Sequence, residues 1–356
     1  MKFTELSEKD FVDFALPHPQ FSFFQTPGLA AYRKKRGWQT HYVGLKKGDK
    51  IIAATMMMSK PGAFGKKVFY APRGPLIDYE NEALLKEFFT NLKAYIKERG
   101  GYILRFEPYL EYRERDIDGN LVEGGFNRQR AIDNLKKLKI KVDSHPDQLK
   151  WMFCLNLDKP PEELKKSFRQ NTRNLINRTL RSGIKVRELK RDELKDFYKM
   201  CTKTAQRKGF EYDNKPLDYY EDFYDIFGKD VKFLIAEIEE NGKVIQLSCG
   251  MFLLCGQHEV LYLFAGNDEE YLNLNAQYLI QWEIINYAYK HHYKRYNFYG
   301  ISGNFDKNDP SYGMYRFKKG FGGYVVELIG GFEMPVSIVY YIHKLKELLH
   351  PKRHSI

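Results

Sequence analysis

The sequence predicts a mixed α/β protein of two domains built by duplication. Three observations predict it. The chain has 356 residues, too many for one ordinary core, so two domains of roughly 150 residues each are expected. Its composition, 43% hydrophobic and 15% aromatic, is globular, with no low-complexity tract and no linker rich in Gly, Pro or Ser. Two stretches about 190 residues apart also carry the same order of elements.

The first stretch, HYVGLKKGDKIIAATMMM from His41, and the second, KFLIAEIEENGKVIQLSCGMF from Lys232, each read as a hairpin. A strand, a polar turn at Gly48-Asp49 or Asn241-Gly242, and a second apolar strand follow one another. After the first hairpin come an amphipathic helix over Glu82 to Glu98 and a strand from Tyr102 to Glu107. After the second come a strand from Val260 to Ala265, a helix from Leu274 to His291 and a strand from Tyr296 to Tyr299. Each copy is then a twisted sheet with helices on its faces. Two unrelated α/β domains sharing common elements would give the same string. The expected division is residues 1–152 with 331–356, and residues 153–330.

Between the halves, residues 160–182 read as one basic helix that opens the second domain. Leu164, Phe168, Leu175, Ile176 and Leu180 recur at helical spacing and should face the core. Lys165, Lys166, Arg169, Arg173, Arg178 and Arg181 are left as an exposed stripe, either a solvated face or a set that neutralises RNA phosphates.

Over the whole chain 58 Lys and Arg against 46 Asp and Glu leave +12, a surplus suited to polyphosphates, nucleic acid or peripheral contact with an anionic membrane face. The four cysteines, Cys154, Cys201, Cys249 and Cys255, show no CxxC spacing, and the HxxxH of His350 and His354 lies in a basic tail across Pro351. Neither a zinc site nor a disulfide framework is indicated, so reduced, buried thiols are expected. No signal-peptide core is present, nor an apolar run near the roughly 20 residues that span a bilayer, which predicts a cytoplasmic protein. The absence of GxSxG, HExxH, GxxxxGK[ST] and GxGxxG argues against common hydrolases, zinc proteases, nucleoside-triphosphate enzymes and dinucleotide enzymes. His291-His292 ends a predicted helix, where a terminal cation is expected rather than a catalytic base.

Several segments together resemble the FemABX family of non-ribosomal peptidyltransferases: FFQTPGLAAYRKKRGW from Phe23, APRGPLIDY from Ala71, LRFEPYL from Leu104, SFRQNTRNLINRTLRSGIKV from Ser167, YLFAGNDEEYLNLNAQYLIQWEII from Tyr262 and FYGISGNFDKNDPSYGMYRFKKGFGG from Phe298. The resemblance implies two domains similar to the GNAT acetyltransferase fold. It also implies transfer of an amino acid from aminoacyl-tRNA to the stem peptide of a peptidoglycan precursor, either UDP-MurNAc-pentapeptide or lipid II. Many members carry a long helical hairpin in the second domain. The turn Glu239 to Lys243 leaves no room for one, so the chain looks like the armless members.

Carried over by position, the family's Phe-Lys pair falls on Phe317-Lys318, with the lysine supporting the reacting ester. An ammonium fixed beside the carbonyl would stabilise the oxyanion that amine attack creates. Glu107 stands where the family usually has Asp; it reads either as the base for an amine whose pKa is about 10.4, or as a structural acceptor at the end of a strand. For the acceptor, the resemblance assigns Arg33 with Lys34, Lys215, Tyr219, Tyr262 and Phe264 to a cleft between the domains, although Tyr262 and Phe264 read equally as core aromatics; Lys215 replaces a common Arg and loses its fork. The stripe of Lys165, Arg169, Arg173, Arg178 and Arg181 would meet tRNA. No metal or organic cofactor is implied, and a monomer is the default. An acetyl-CoA-dependent acyltransferase and a non-catalytic tRNA-binding protein are the alternatives, although AGNDEEYLNLNAQ after Phe264 lacks a pyrophosphate loop.

Overall fold

The computed structural model describes residues 1–208 and 215–349; the HxxxH tail lies outside the described residues. In chain order the strands are β1 (Lys2–Glu5), β2 (Gln39–Lys47), β3 (Lys50–Pro61), β4 (Lys67–Arg73), β5 (Gly101–Pro108), β6 (Glu111–Glu114), β7 (Lys141–Val142) and β8 (Trp151–Asn156). They continue with β9 (Lys185–Glu188), β10 (Val231–Glu240), β11 (Lys243–Cys255), β12 (Glu259–Asn267), β13 (Arg295–Gly300), β14 (Tyr324–Leu328) and β15 (Phe332–Pro335). The helices are α1 (Glu8–Ala15), α2 (Pro27–Lys34), α3 (Glu82–Glu98), α4 (Gln129–Lys137), α5 (Pro161–Ser167) and α6 (Gln170–Arg181). After them come α7 (Leu194–Lys208), α8 (Leu217–Phe227), α9 (Ala276–Lys290), α10 (Tyr312–Lys319) and α11 (Val339–Leu349).

Two compact units result, Met1–Arg115 with Leu121–Lys150 and Val326–Ile356, and Asp116–Asn120 with Trp151–Val325. The short loop Asp116–Asn120, which the sequence leaves in the first domain, groups with the second unit. In the first unit the strand order is β1-β2-β3-β4-β5-β15-β7, antiparallel except for β4 beside β5. A parallel pair needs a crossover, and α3 supplies it. Its Leu85, Phe88, Phe89, Leu92 and Ile96 form one apolar stripe in the core, and Asn81 caps its first turn by accepting from Leu84 N at 3.1 Å.

In the second unit the order is β8-β13-β12-β11-β10-β9, again with one parallel pair, β12 beside β13, bridged by α9. The predicted repeat of hairpin, helix and strand is therefore present twice, and β4, in what the sequence leaves as a connection, completes the match by supplying the strand parallel to β5. One difference matters for function. The β4–β5 pairing continues to Arg73 opposite Pro108, whereas β12 and β13 pair only as far as Leu261 opposite Asn297. Beyond that point the ladder ends although both strands run on, which opens the sheet at the carboxyl ends of its parallel strands, where ligands of open α/β sheets bind.

The single basic helix expected over residues 160–182 is broken in two. Phe168 and Arg169 are extended, with ψ of 151° and 143°, because Phe168 is drawn into the core and Arg169 N donates to Gly320 O at 2.9 Å. Arg173 Nη1 donates to the freed carbonyls of Lys166 and Phe168 at 2.8 and 2.7 Å. The expected apolar face is also different: Leu180 is exposed, and Thr172 and Thr179 are buried beside Ile176. All four cysteines are buried thiols outside any disulfide, as expected, and Cys201 Sγ lies 3.9 Å from Cys249 Sγ.

Candidate active site

In the first unit a polar cluster covers the carboxyl end of β5. Glu107 is 2% exposed. Its Oε1 accepts from Asp147 N at 3.0 Å, and the Tyr70 hydroxyl stands beside the same carboxylate. Burial, and then the Asp147 carboxylate, push the Glu107 carboxyl up to about 7, against the pull of Arg73, the Tyr70 hydroxyl and Arg105. Arg105 is held by Asp143 at 2.8 Å and Asp147 at 3.2 Å, and Arg73 Nη2 donates to Leu149 O at 2.9 Å. The segment from Asp143 to Leu149 is thereby pinned over the strand ends.

Gln148 Nε2 donates to the Tyr70 hydroxyl at 3.2 Å, and the Tyr70 ring is 6.3 Å from that of Trp38. Over Trp38 lie Arg33, 5.9 Å from the ring centroid, and Lys60, at 4.5 Å. Arg33 and Glu107, predicted separately, thus stand at two ends of one chain of contacts, while Lys34 is exposed on the next position of α2. Arg33 Nε and Gln148 Oε1 are buried without a hydrogen-bond partner among the described residues. Buried polar atoms are ordinarily satisfied, so these two leave hydrogen-bonding capacity between Arg33 and Glu107.

The second unit carries the lysine. Lys318 is 4% exposed, and its ammonium donates to the carbonyl of Gly300, the last residue of β13, beside the opening where β12 and β13 part. It is not a surface lysine. Phe317 packs edge-on against Tyr278 and Phe321, at 5.1 and 5.4 Å between centroids, which fixes α10. The neighbouring Lys319 is also buried and pairs with Asp118; burial lowers its pKa against the Asp116 charge.

Lys319 faces a cavity of about 510 Å³ lined by Asp118, Arg169, Phe305, Lys307, Tyr312, Tyr315, Arg316 and Lys319. Four cations and three aromatic rings meet there. Four of the eight lie at positions 312, 315, 316 and 319 of α10, the i, i+3, i+4, i+7 spacing of one helix face. One helix therefore presents Lys318 to the strand opening and its other face to a basic, aromatic cavity.

The remaining predicted residues divide. Lys215 Nζ lies 5.9 Å over the Tyr219 ring, and Tyr219 is edge-on to Phe264 at 5.7 Å, so these three cluster. Tyr262 does not join them. A bulge pairs Met251 with Phe264 but Phe252 with Tyr262, placing the two aromatics on opposite faces of the sheet. Tyr262 stacks on Phe252 and accepts from Gln277 Nε2 at 2.8 Å, and burial raises its hydroxyl pKa. The basic stripe is not uniform either. Lys165 lies over the Trp282 ring and pairs with Glu162, Arg173 caps α5, and Arg178 donates to Asn273 O at 3.0 Å. Arg169 and Arg181 are exposed, and Arg169 lines the cavity.

The profile of the FemAB family matches residues 6–248 and 237–350. The chain belongs to the FemAB family. Aminoacyltransferase FemB of Staphylococcus epidermidis is 29% identical over 96% of each chain, and aminoacyltransferase FemA of Staphylococcus aureus is 29% identical over 95% of this chain and 96% of its own. This FemAB chain is an aminoacyltransferase. A crystal structure of FemX matches with a TM-score of 0.85 at 20% identity over 98% of this chain and all of that one. A tandem GNAT protein from the clavulanic acid biosynthesis pathway matches at 0.53 and 10% identity over 94% of this chain, consistent with two GNAT-like units. The family match divides at residues 237–248, which hold the β10–β11 turn. The FemB alignment also runs over 409 positions, so FemB carries residues that these 356 lack.

Sequence reasoning missed the cavity, although its signal was present. Phe305, Lys307, Tyr312, Tyr315, Arg316 and Lys319 interleave aromatics and cations within the segment that carries the family resemblance most specifically. It also missed Asp147, Gln148 and Lys60, for which no local pattern exists.

Proposed function

We propose that this FemAB enzyme takes its amino acid from aminoacyl-tRNA and joins it to an amine on the stem peptide of a peptidoglycan precursor. The observation that carries this reading is α10, which puts Lys318 at the strand opening and a cation-aromatic face on the neighbouring cavity. A single-stranded RNA end needs that combination, cations for its phosphates and rings on which bases stack. The amine attacks the ester carbonyl, a C–N bond forms, the C–O bond to the ribose breaks, and the proton lost by the amine is returned to the departing ribose oxygen. Lys318 supports the oxyanion. Glu107, near neutrality in its pKa, is suited to accept the amine proton, and Arg33 with Lys60 offers cations for a diphosphate.

The test incubates the enzyme with tRNAs charged with Gly, Ala and Ser and with UDP-MurNAc-pentapeptide or, in parallel, lipid II, and reads the acceptor by mass spectrometry. A gain of one residue from a charged tRNA is expected. No gain on either acceptor overturns the reading. Lys318→Met should lower kcat by at least about 100-fold with acceptor affinity retained; a variant keeping most of its rate removes Lys318 from the chemistry.

A further inference from the structure

The C-terminal helix α11 buries only a short apolar contact and leaves a longer apolar stripe in solvent. A surface helix ordinarily turns its apolar stripe to the core and its charges to water. Here Val339 and Tyr340 pack inward against Tyr102 and Ile103, and most of the polar groups lie on that same side. Tyr340 is 2% exposed and its hydroxyl donates to Glu333 at 2.9 Å, Lys344 pairs with Glu333 at 2.7 Å and with Glu347 at 3.2 Å, and His343 packs edge-on against Tyr102 at 5.5 Å. The longer apolar stripe faces solvent: Ile338 is 70% exposed, Tyr341 51%, Ile342 49%, Leu345 59% and Leu349 68%. These fall at i, i+3, i+4, i+7 and i+11, a single stripe along the helix. Phe64, from the neighbouring loop, adds a ring that is 56% exposed.

Scattered apolar residues on a surface need no explanation, but a contiguous stripe does. Its borders are basic. Lys141 Nζ lies 4.8 Å from the Tyr341 ring centroid and Lys346 Nζ 5.9 Å from that of Phe64, whereas the acidic Glu347 and Glu333 are engaged on the inward side. A second copy meeting this face about a two-fold axis would oppose lysine to lysine. An anionic lipid surface meets the lysines with opposite charge and takes the aliphatic side chains into its acyl boundary, the usual division of labour in helices that lie in the membrane plane.

We infer that α11 and the adjoining Phe64 form a docking surface for an anionic bilayer, on which the first unit rests with the helix parallel to the membrane. The inference does not depend on the proposed donor or acceptor. Its consequence is that a lipid-linked acceptor would be met in the plane where it is anchored.

Sedimentation of the full chain with vesicles of phosphatidylglycerol and phosphatidylcholine, against pure phosphatidylcholine, tests it. Partition onto the anionic vesicles and little onto the neutral ones is expected. Ile342→Asp with Leu345→Asp, both solvent-facing, should lower that partition at least ten-fold while leaving the circular dichroism spectrum and the thermal unfolding midpoint unchanged. Equal binding to neutral vesicles, or undiminished binding by the double variant, overturns the inference. So does a dimer in size-exclusion chromatography that the double variant converts to monomer, since the face would then be covered by another copy.

Discussion

At the scale of single residues, Glu107 is the most informative. Its carboxyl is held up to about 7 from an ordinary value of 4.5, so the folded state favours the protonated form. That contribution to stability is complete below about pH 4.5 and is lost as pH rises through about 7. Glu107→Gln should therefore stabilise the protein at pH 8, by up to about 3 kcal/mol, and do little at pH 4; urea unfolding at the two pH values checks this. If the ionised carboxyl accepts the amine proton, kcat/KM for the wild type rises through an inflection near pH 7, and that limb disappears in Glu107→Gln. A rate that is independent of Glu107 but a stability that is not would leave it a structural acceptor. The residue's type and its place at the end of a strand were legible in LRFEPYL. Its environment was not, because Asp147 and Gln148 arrive from a segment 40 residues away, and such distant charges leave no local pattern.

At the scale of elements, the broken helix α5–α6 corrects a reading that periodicity alone supports. Hydrophobic spacing continued through Phe168, but burial of that ring and the backbone bond from Arg169 to Gly320 outweigh the helical turn they replace. The break separates the roles of the arginines. Arg173→Ala removes the donor to two otherwise free carbonyls and should cost about 1–2 kcal/mol of stability while leaving the salt dependence of tRNA binding unchanged. Arg169→Ala should do the reverse, with stability intact and the slope of log K against log salt shallower by about one phosphate contact. Filter binding across a salt series, with thermal unfolding of both variants, separates the two. Tyr262 shows the same limit: the resemblance assigns it to one cleft with Phe264, and one extra residue in the strand sends it to the other face.

At the scale of the whole molecule, the duplicated order of hairpin, helix and strand was readable because each copy needs the same apolar pattern to bury its own sheet. The difference between the copies was not readable, since nothing in either strand's composition announces that one parallel ladder runs to its end and the other stops after Leu261 and Asn297. The net charge of +12 predicts tRNA association that is fast at low ionic strength and slows steeply with salt, measurable by stopped-flow fluorescence; a rate indifferent to salt would mean that the surplus plays no part in capture. The tight turn at Asn241 and Gly242, both at positive φ, has one more consequence. At the point where the family match divides, this chain closes the hairpin with two residues and pairs Glu240 with Lys243, so the same point should accept foreign sequence whose ends lie close together. A compact fluorescent domain spliced between Asn241 and Gly242 would then report on the enzyme's whereabouts in living cells while leaving α10 and its lysine undisturbed.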